Sequence, residues 1–217
     1  MSSIISSRDK LFWVGAAAAM LVIAAGFWLT ASRNPGPPAP ELPIISGVAA
    51  FSLTNQDGAV VTLETLKGHV WLADVFFTRC AGPCPKLGRR MRDLQQSLPT
   101  DSGARLVSLT TDPAYDTPPV LKSYAAKFSA DPGRWQFLTG PKAQVAALAR
   151  ESLKFTALEK APAERDAPAD LFIHSTIFAL VDKEARLRAF YETEGDDIDP
   201  VRLRTRILAD IHRLERE

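Results

Sequence analysis

Cysteine is nearly absent from this chain of 217 residues, which has two, and histidine is scarce, with three. Two cysteines cannot build a disulfide framework or a four-cysteine zinc site. A surplus of one charge is also missing, since 26 Lys and Arg against 25 Asp and Glu leave a net +1. No basic stripe stands out in the globular part, which argues against a nucleic-acid partner. No segment repeats internally. The length suits one good-sized domain plus an extension.

Charge is missing most completely from residues 11–31, LFWVGAAAAMLVIAAGFWLTA. At about 1.5 Å per residue, a helix of this length crosses roughly 30 Å of hydrocarbon. Trp13 and Trp28 lie near its ends, where interfacial aromatics belong. Arg8 and Lys10 precede it, and after Arg33 no basic residue appears until Lys67. The expectation is a cytoplasmic N-terminus over 1–10, one transmembrane helix over 11–31, and export of everything beyond. A cleaved signal peptide is the alternative, with Thr30-Ala31-Ser32 as the cleavage stretch. No cysteine lies near residue 31 for lipidation, and the leader is too short and poor in arginine for a mitochondrial transit peptide. The expected location is therefore a bacterial inner membrane, single-pass, with the domain in the periplasm. Residues 32–44 carry five prolines and read as a semi-rigid extended stalk before a domain over 45–217.

What is present is concentrated in 69–91, HVWLADVFFTRCAGPCPKLGRRM. The run 70–77 is nearly continuously apolar, β-branched and aromatic, as in a strand buried on both faces. Leu87, Met91, Leu94 and Leu98 then repeat at helical spacing, with Pro85 suited to the first helical position. This predicts Cys84 as N-cap and Cys80 in the loop above it, where the helix dipole favours the thiolate. A purely structural disulfide between them would close only five residues, for on the order of 2 kcal/mol. Soft thiolates select Cu(I) and other soft metals. A reversible disulfide is the rival use, although thioredoxin-type oxidoreductases keep two residues between their cysteines where this chain has three. A peroxidase would want a single low-pKa cysteine with an arginine partner.

The remaining chain supplies a scaffold. Residues 51–54 and 60–63 form a hairpin around Asp57-Gly58. Residues 105–109 and 135–138 read as core strands. A helix starts at Thr117-Pro118 and another covers 141–153. Residues 156–170 are polar and proline-bearing, a flap-like insertion. Residues 175–181 return as a buried strand, 187–191 pair with it, and a last helix from Asp199-Pro200 buries Leu203, Ile207, Ile211 and Leu214. This order fits an α/β thioredoxin-like sandwich with an N-terminal β-hairpin, preceded by the transmembrane helix. Of the histidines, His69 sits in a turn, His212 points to solvent from the last helix, and His174 stands at the mouth of strand 175–181.

Phe77-Thr78-Arg79-Cys80-Ala81-Gly82-Pro83-Cys84-Pro85 resembles the F-T-x-C-x-x-x-C-P signature of the Sco family. So do His174-Ser175 before a strand ending Val181-Asp182, Asp112-Pro113 with Asp116-Thr117-Pro118, and the run WQFLTG over 135–140. The resemblance implies a membrane-anchored, thioredoxin-fold copper carrier that assembles cytochrome c oxidase. It implies copper, as Cu(I) or Cu(II), held by Cys80, Cys84 and His174, with Asp112 behind the ligands. It also implies as partners the oxidase subunit bearing the binuclear copper (CuA) site and another periplasmic copper carrier or thiol reductant. A membrane-anchored thiol–disulfide oxidoreductase acting on the cysteines of that subunit is the alternative, with Cys80 and Cys84 as its catalytic pair. Ile173 stands where the family often has an aspartate, and Ala81-Gly82-Pro83 lacks the acidic residue common between the cysteines.

Overall fold

The computed structural model describes residues 7–33, 41–155, 158–159, 172–173 and 176–217. The chain divides into two units, Met1–Glu41 and Leu42–Glu217. In the first, α1 (Ser7–Arg33) is helical throughout the uncharged stretch. Its side chains are described at 13 and 16–28, and Trp13, Ile23, Phe27 and Trp28 among them are exposed. Among the described residues no helix is long and apolar enough to cross a membrane. The transmembrane helix expected over 11–31 is thus not supported by the structure. Residues 34–40 of the expected stalk lie outside the described residues.

The second unit is built on β1 (Ser46–Gly47), β2 (Ser52–Asn55), β3 (Val60–Thr62), α2 (Leu63–Leu66), β4 (Trp71–Phe76) and α3 (Cys84–Ser97). Then come β5 (Arg105–Thr110), α4 (Pro118–Ala126), β6 (Trp135–Thr139), α5 (Lys142–Ala146), β7 (Leu158–Glu159), β8 (Phe172–Ile173), β9 (Ile177–Val181), β10 (Arg186–Glu192) and α6 (Pro200–Arg216). One eight-stranded sheet runs β1-β10-β9-β4-β5-β6-β2-β3. Strands β4, β5 and β6 are parallel, and β9 joins β4 antiparallel. The hairpin β2–β3 forms as expected: Asn55 Oδ1 accepts from the N–H groups of Asp57 and Ala59, and Gly58 takes the positive φ of the turn. Leu63, expected in the strand, instead opens α2, because Thr62 and Thr65 form a reciprocal cap.

Strand pleating sorts the core into two layers. Val70, just before β4, and Leu72 and Phe76 of β4, with Leu106, Phe137, Phe178 and Leu180, face α3, α4 and α6. Trp71, Ala73 and Val75, with Val107, Leu109, Ala179 and Val181, face α2 and α5. Helices on both faces explain why β4 reads as an apolar run broken only by Asp74, and all six of its residues are buried. The expected helix 141–153 is present as α5, continued by a π-helical turn over Ala147–Ser152. Asp199 caps α6 by accepting from Val201 N at 2.8 Å. Of the flap-like insertion expected over 156–170, only Leu158–Glu159 is described, paired with Phe172–Ile173.

Candidate functional site

The parallel strands β4 and β5 end side by side, Phe76 against Thr110, and each releases a loop at its C-terminal end. In open α/β sheets that end is where binding loops gather. The β4–α3 loop carries Cys80, whose N–H turns back onto Phe77 O at 3.2 Å. The β5–α4 loop carries Asp112 and Asp116. Asp116 is fully buried and joins the two loops: it accepts from Thr78 N (3.1 Å), Thr78 Oγ1 (2.5 Å) and Thr110 Oγ1. Its carboxyl lies above the usual range, because burial outweighs these hydrogen bonds. Arg79, next to Cys80, pairs with Asp112 at 2.5 Å and lies 4.1 Å over the Tyr115 ring. Asp112 therefore sits beside the cysteine loop, where its partner is Arg79.

The cysteines are brought together. Both are buried, at 8% exposure for Cys80 and 2% for Cys84, and neither is in a disulfide. The helix begins one residue earlier than expected: Pro83 is the N-cap and Cys84 the first helical residue. Lys86 N and Leu87 N close that turn on Pro83 O at 2.9 and 3.0 Å.

The expectation of a favoured thiolate fails at Cys84, whose thiol is held well above its ordinary pKa. The hydrogen bond it shares with Cys80 is the largest cause, followed by burial, while a backbone hydrogen bond with Phe77 pulls the other way. Packing beneath Leu87, Met91 and Tyr124 removes the solvent a thiolate needs, and this outweighs the helix N-terminus. Tyr124 stacks on Phe76 at 5.2 Å and roofs the same layer. Its phenol is also pushed up, first by burial and then by Cys84.

His174 lies outside the described residues. The other two histidines are not at the cysteines: His69 bonds Gly103 O at 2.8 Å before β4 begins, and His212 contacts Arg216 on exposed α6. Among the described residues, no group of three or more His, Cys, Asp or Glu could hold a metal ion.

Two acids were given no role by the reading of the sequence. Asp116 carried only its place in the Asp116-Thr117-Pro118 segment of the resemblance, with no role attached to it. Asp74 carried one, an acid inside the apolar run 70–77. It is 2% exposed and its carboxyl is pushed up to about 7, chiefly by burial, with a Ser108 hydrogen bond opposing.

The SCO1/SenC family model matches residues 45–208. The chain is 37% identical over 162 residues to the SCO1 protein homolog of Bacillus subtilis (strain 168), covering 72% of this chain and 81% of that protein. It is 32% identical over 149 residues to a Stutzerimonas stutzeri protein named for copper binding, covering 68% and 70%. Among solved structures it is similar to BsSco, a Sco-family cytochrome c oxidase assembly protein in which a disulfide switch was identified. That similarity has 30% identity and a TM-score of 0.66, over 81% of this chain and 98% of BsSco. A match that takes in the hairpin, both cysteines, the β5–α4 loop and most of α6 leaves one conclusion: the chain belongs to the SCO1/SenC family.

Proposed function

We propose that this protein binds copper through Cys80, Cys84 and His174 and delivers it as cargo during cytochrome c oxidase assembly, to the binuclear copper (CuA) site of the oxidase. The observation that carries the reading is the pair of adjacent thiols at the start of α3 in a member of this family. Two soft sulfur donors fit Cu(I), and one imidazole added to them extends the set to Cu(II). Burial keeps the pair from bulk water, while the Arg79–Asp112 pair lies beside it in the rim. His174 enters on its place in the sequence, just before β9.

The uncharged stretch 11–31 and the basic residues before it are the sequence grounds for a membrane anchor ahead of the domain, with 32–44 as stalk and 45–217 exported. A reporter fused after Pro43 should be active only outside the cytoplasm; activity only inside it would refute this topology.

Copper titration of the reduced chain tests the function. One copper per chain is expected, with His174→Ala weakening Cu(II) strongly and leaving residual Cu(I) on the two sulfurs. Cu(II) binding unchanged in that variant would remove His174 from the site. The second reading, dithiol–disulfide exchange with the oxidase subunit, draws on the disulfide switch of BsSco and on the hydrogen-bonded thiols here. If copper does not bind but the thiols cycle, that reading takes over.

A further inference from the structure

Between α3 and α6 the surface sinks into a recess of about 200 Å³ whose lining is apolar below and cationic at its edge. Leu94, Phe178 and Ile207 line it and are almost completely buried, while Val201 beside them is 58% exposed. Arg90 and Arg204 line it too, one from each helix. Arg90 follows Leu87 by three residues and precedes Leu94 by four, so its aliphatic stem lies along the packed stripe of α3. Its Nη1 is buried with no hydrogen-bond partner among the described residues. Neither Arg90 nor Arg204 has an ion-pair partner among those residues. Asp93, the acid of the lining, is engaged by its neighbour Arg92 at 3.0 Å. A buried guanidinium N–H without an acceptor is costly, and a methionine would fill the same place on α3 without that cost.

We propose that this recess docks an acidic segment of a partner protein, which places one apolar side chain between the helices and its carboxylates on Arg90 and Arg204. Two unpaired guanidinium groups beside an apolar surface select an occupant that is both anionic and apolar. A carboxylate matches the guanidinium fork and gives the buried Arg90 Nη1 its acceptor. The volume is below the roughly 300–1,000 Å³ of small-molecule sites, so it suits a single side chain carried by a larger molecule. An anionic bilayer fits less well. Such a surface attracts clusters of about four to eight Lys and Arg, whereas here Asp93 and Asp199 engage Arg92 and Arg202 on the same two helices. Cys84 opens α3 and Arg90 follows two turns later, about 9 Å along the axis at roughly 1.5 Å per residue. A partner seated in the recess is therefore held at the cysteine end of the domain. The docking does not depend on whether the thiols carry copper or exchange disulfides.

The test uses the reduced full chain in mild detergent, with a short labelled peptide that carries glutamates on both sides of a phenylalanine. A twin peptide has lysines in place of the glutamates. The acidic peptide should bind, more weakly as salt rises, and the twin should not. Methyl NMR signals of Val201, Leu203 and Ile207 should move on binding, while those of Val61 on the opposite face of the sheet stay put. Arg90→Met, which keeps an apolar stem, should weaken the peptide by roughly tenfold, as loss of one charged hydrogen-bonding partner does. Arg204→Glu should weaken it at least as much and turn preference toward the lysine twin. If Arg90→Met does not fold, Arg204→Glu decides alone. Equal binding of both peptides, or affinity for the acidic peptide unchanged in the variants, would overturn the proposal. So would signals that ignore the peptide and move with short-chain phosphatidylglycerol, since the face would then be a lipid surface. Copper titration of the same variants should match wild type, so failure here leaves the copper reading untouched.

Discussion

Replacing Asp74 by asparagine should remove the pH dependence of stability that this one residue imposes. The carboxyl moves from 3.8 to about 7 on folding, chiefly because burial disfavours its charge. Between those values the native state holds a proton that the unfolded state has released. Stability therefore falls as pH rises through this window and stays low above it. At about 1.4 kcal/mol for each tenfold change, the native state loses up to about 4 kcal/mol by pH 8. The substituted amide has no charge to bury. It keeps an acceptor for Ser108, at the cost of an unpartnered N–H group, about 1–3 kcal/mol. The variant should thus be equal to or less stable than wild type near pH 4.5 and more stable near pH 8. Guanidinium unfolding of both chains, kept reduced, across that range reads the difference in midpoints. Two curves that stay parallel would refute the reasoning, since they would mean that Asp74 is charged or neutral alike in both states.

Two further outcomes follow from buried acids that are satisfied. Asp116→Ala strips acceptors from Thr78 N, Thr78 Oγ1 and Thr110 Oγ1. It should cost roughly 3 kcal/mol in denaturant unfolding and speed alkylation of Cys80 by loosening its loop. Arg188, 4% exposed, pairs with Asp182 at 2.8 Å and with Glu217 at 2.7 Å, and donates to Leu42 O at 2.6 Å. Arg188→Ala should cost about 3–5 kcal/mol by the same assay. Burial raises the Asp182 carboxyl, but the Arg186 N–H and the Arg188 and Arg186 guanidinium groups outweigh it, so its pKa is lowered. Its contribution is present at neutral pH and is lost as pH falls through that lowered value, and the acid side of the stability curve should flatten in the variant.

Apart from β1 and α2, the elements of the α/β domain read along the chain come in the order seen in the structure. Alternating apolar residues, Asp57-Gly58, Pro118 and Asp199-Pro200 act within a few residues, so the hairpin, the strand–cysteine–helix unit and α6 are all legible locally. So is the pairing of Cys80 with Cys84, because a four-residue spacing at a helix start leaves the side chains little choice. The state of those groups is a matter of packing. The helix N-terminus argues for a thiolate at Cys84, but the Cys80 hydrogen bond and the packed layer of Leu87, Met91 and Tyr124 hold the proton on. Asp116 is distant from Thr78 by 38 positions, and nothing local marks it as the clasp of the cysteine loop. Asp74 stands in plain view in an apolar run, but its cost depends on helices covering both faces of β4. Protonation is set by everything within several ångströms, and the chain order specifies those neighbours only once the sheet has closed around them.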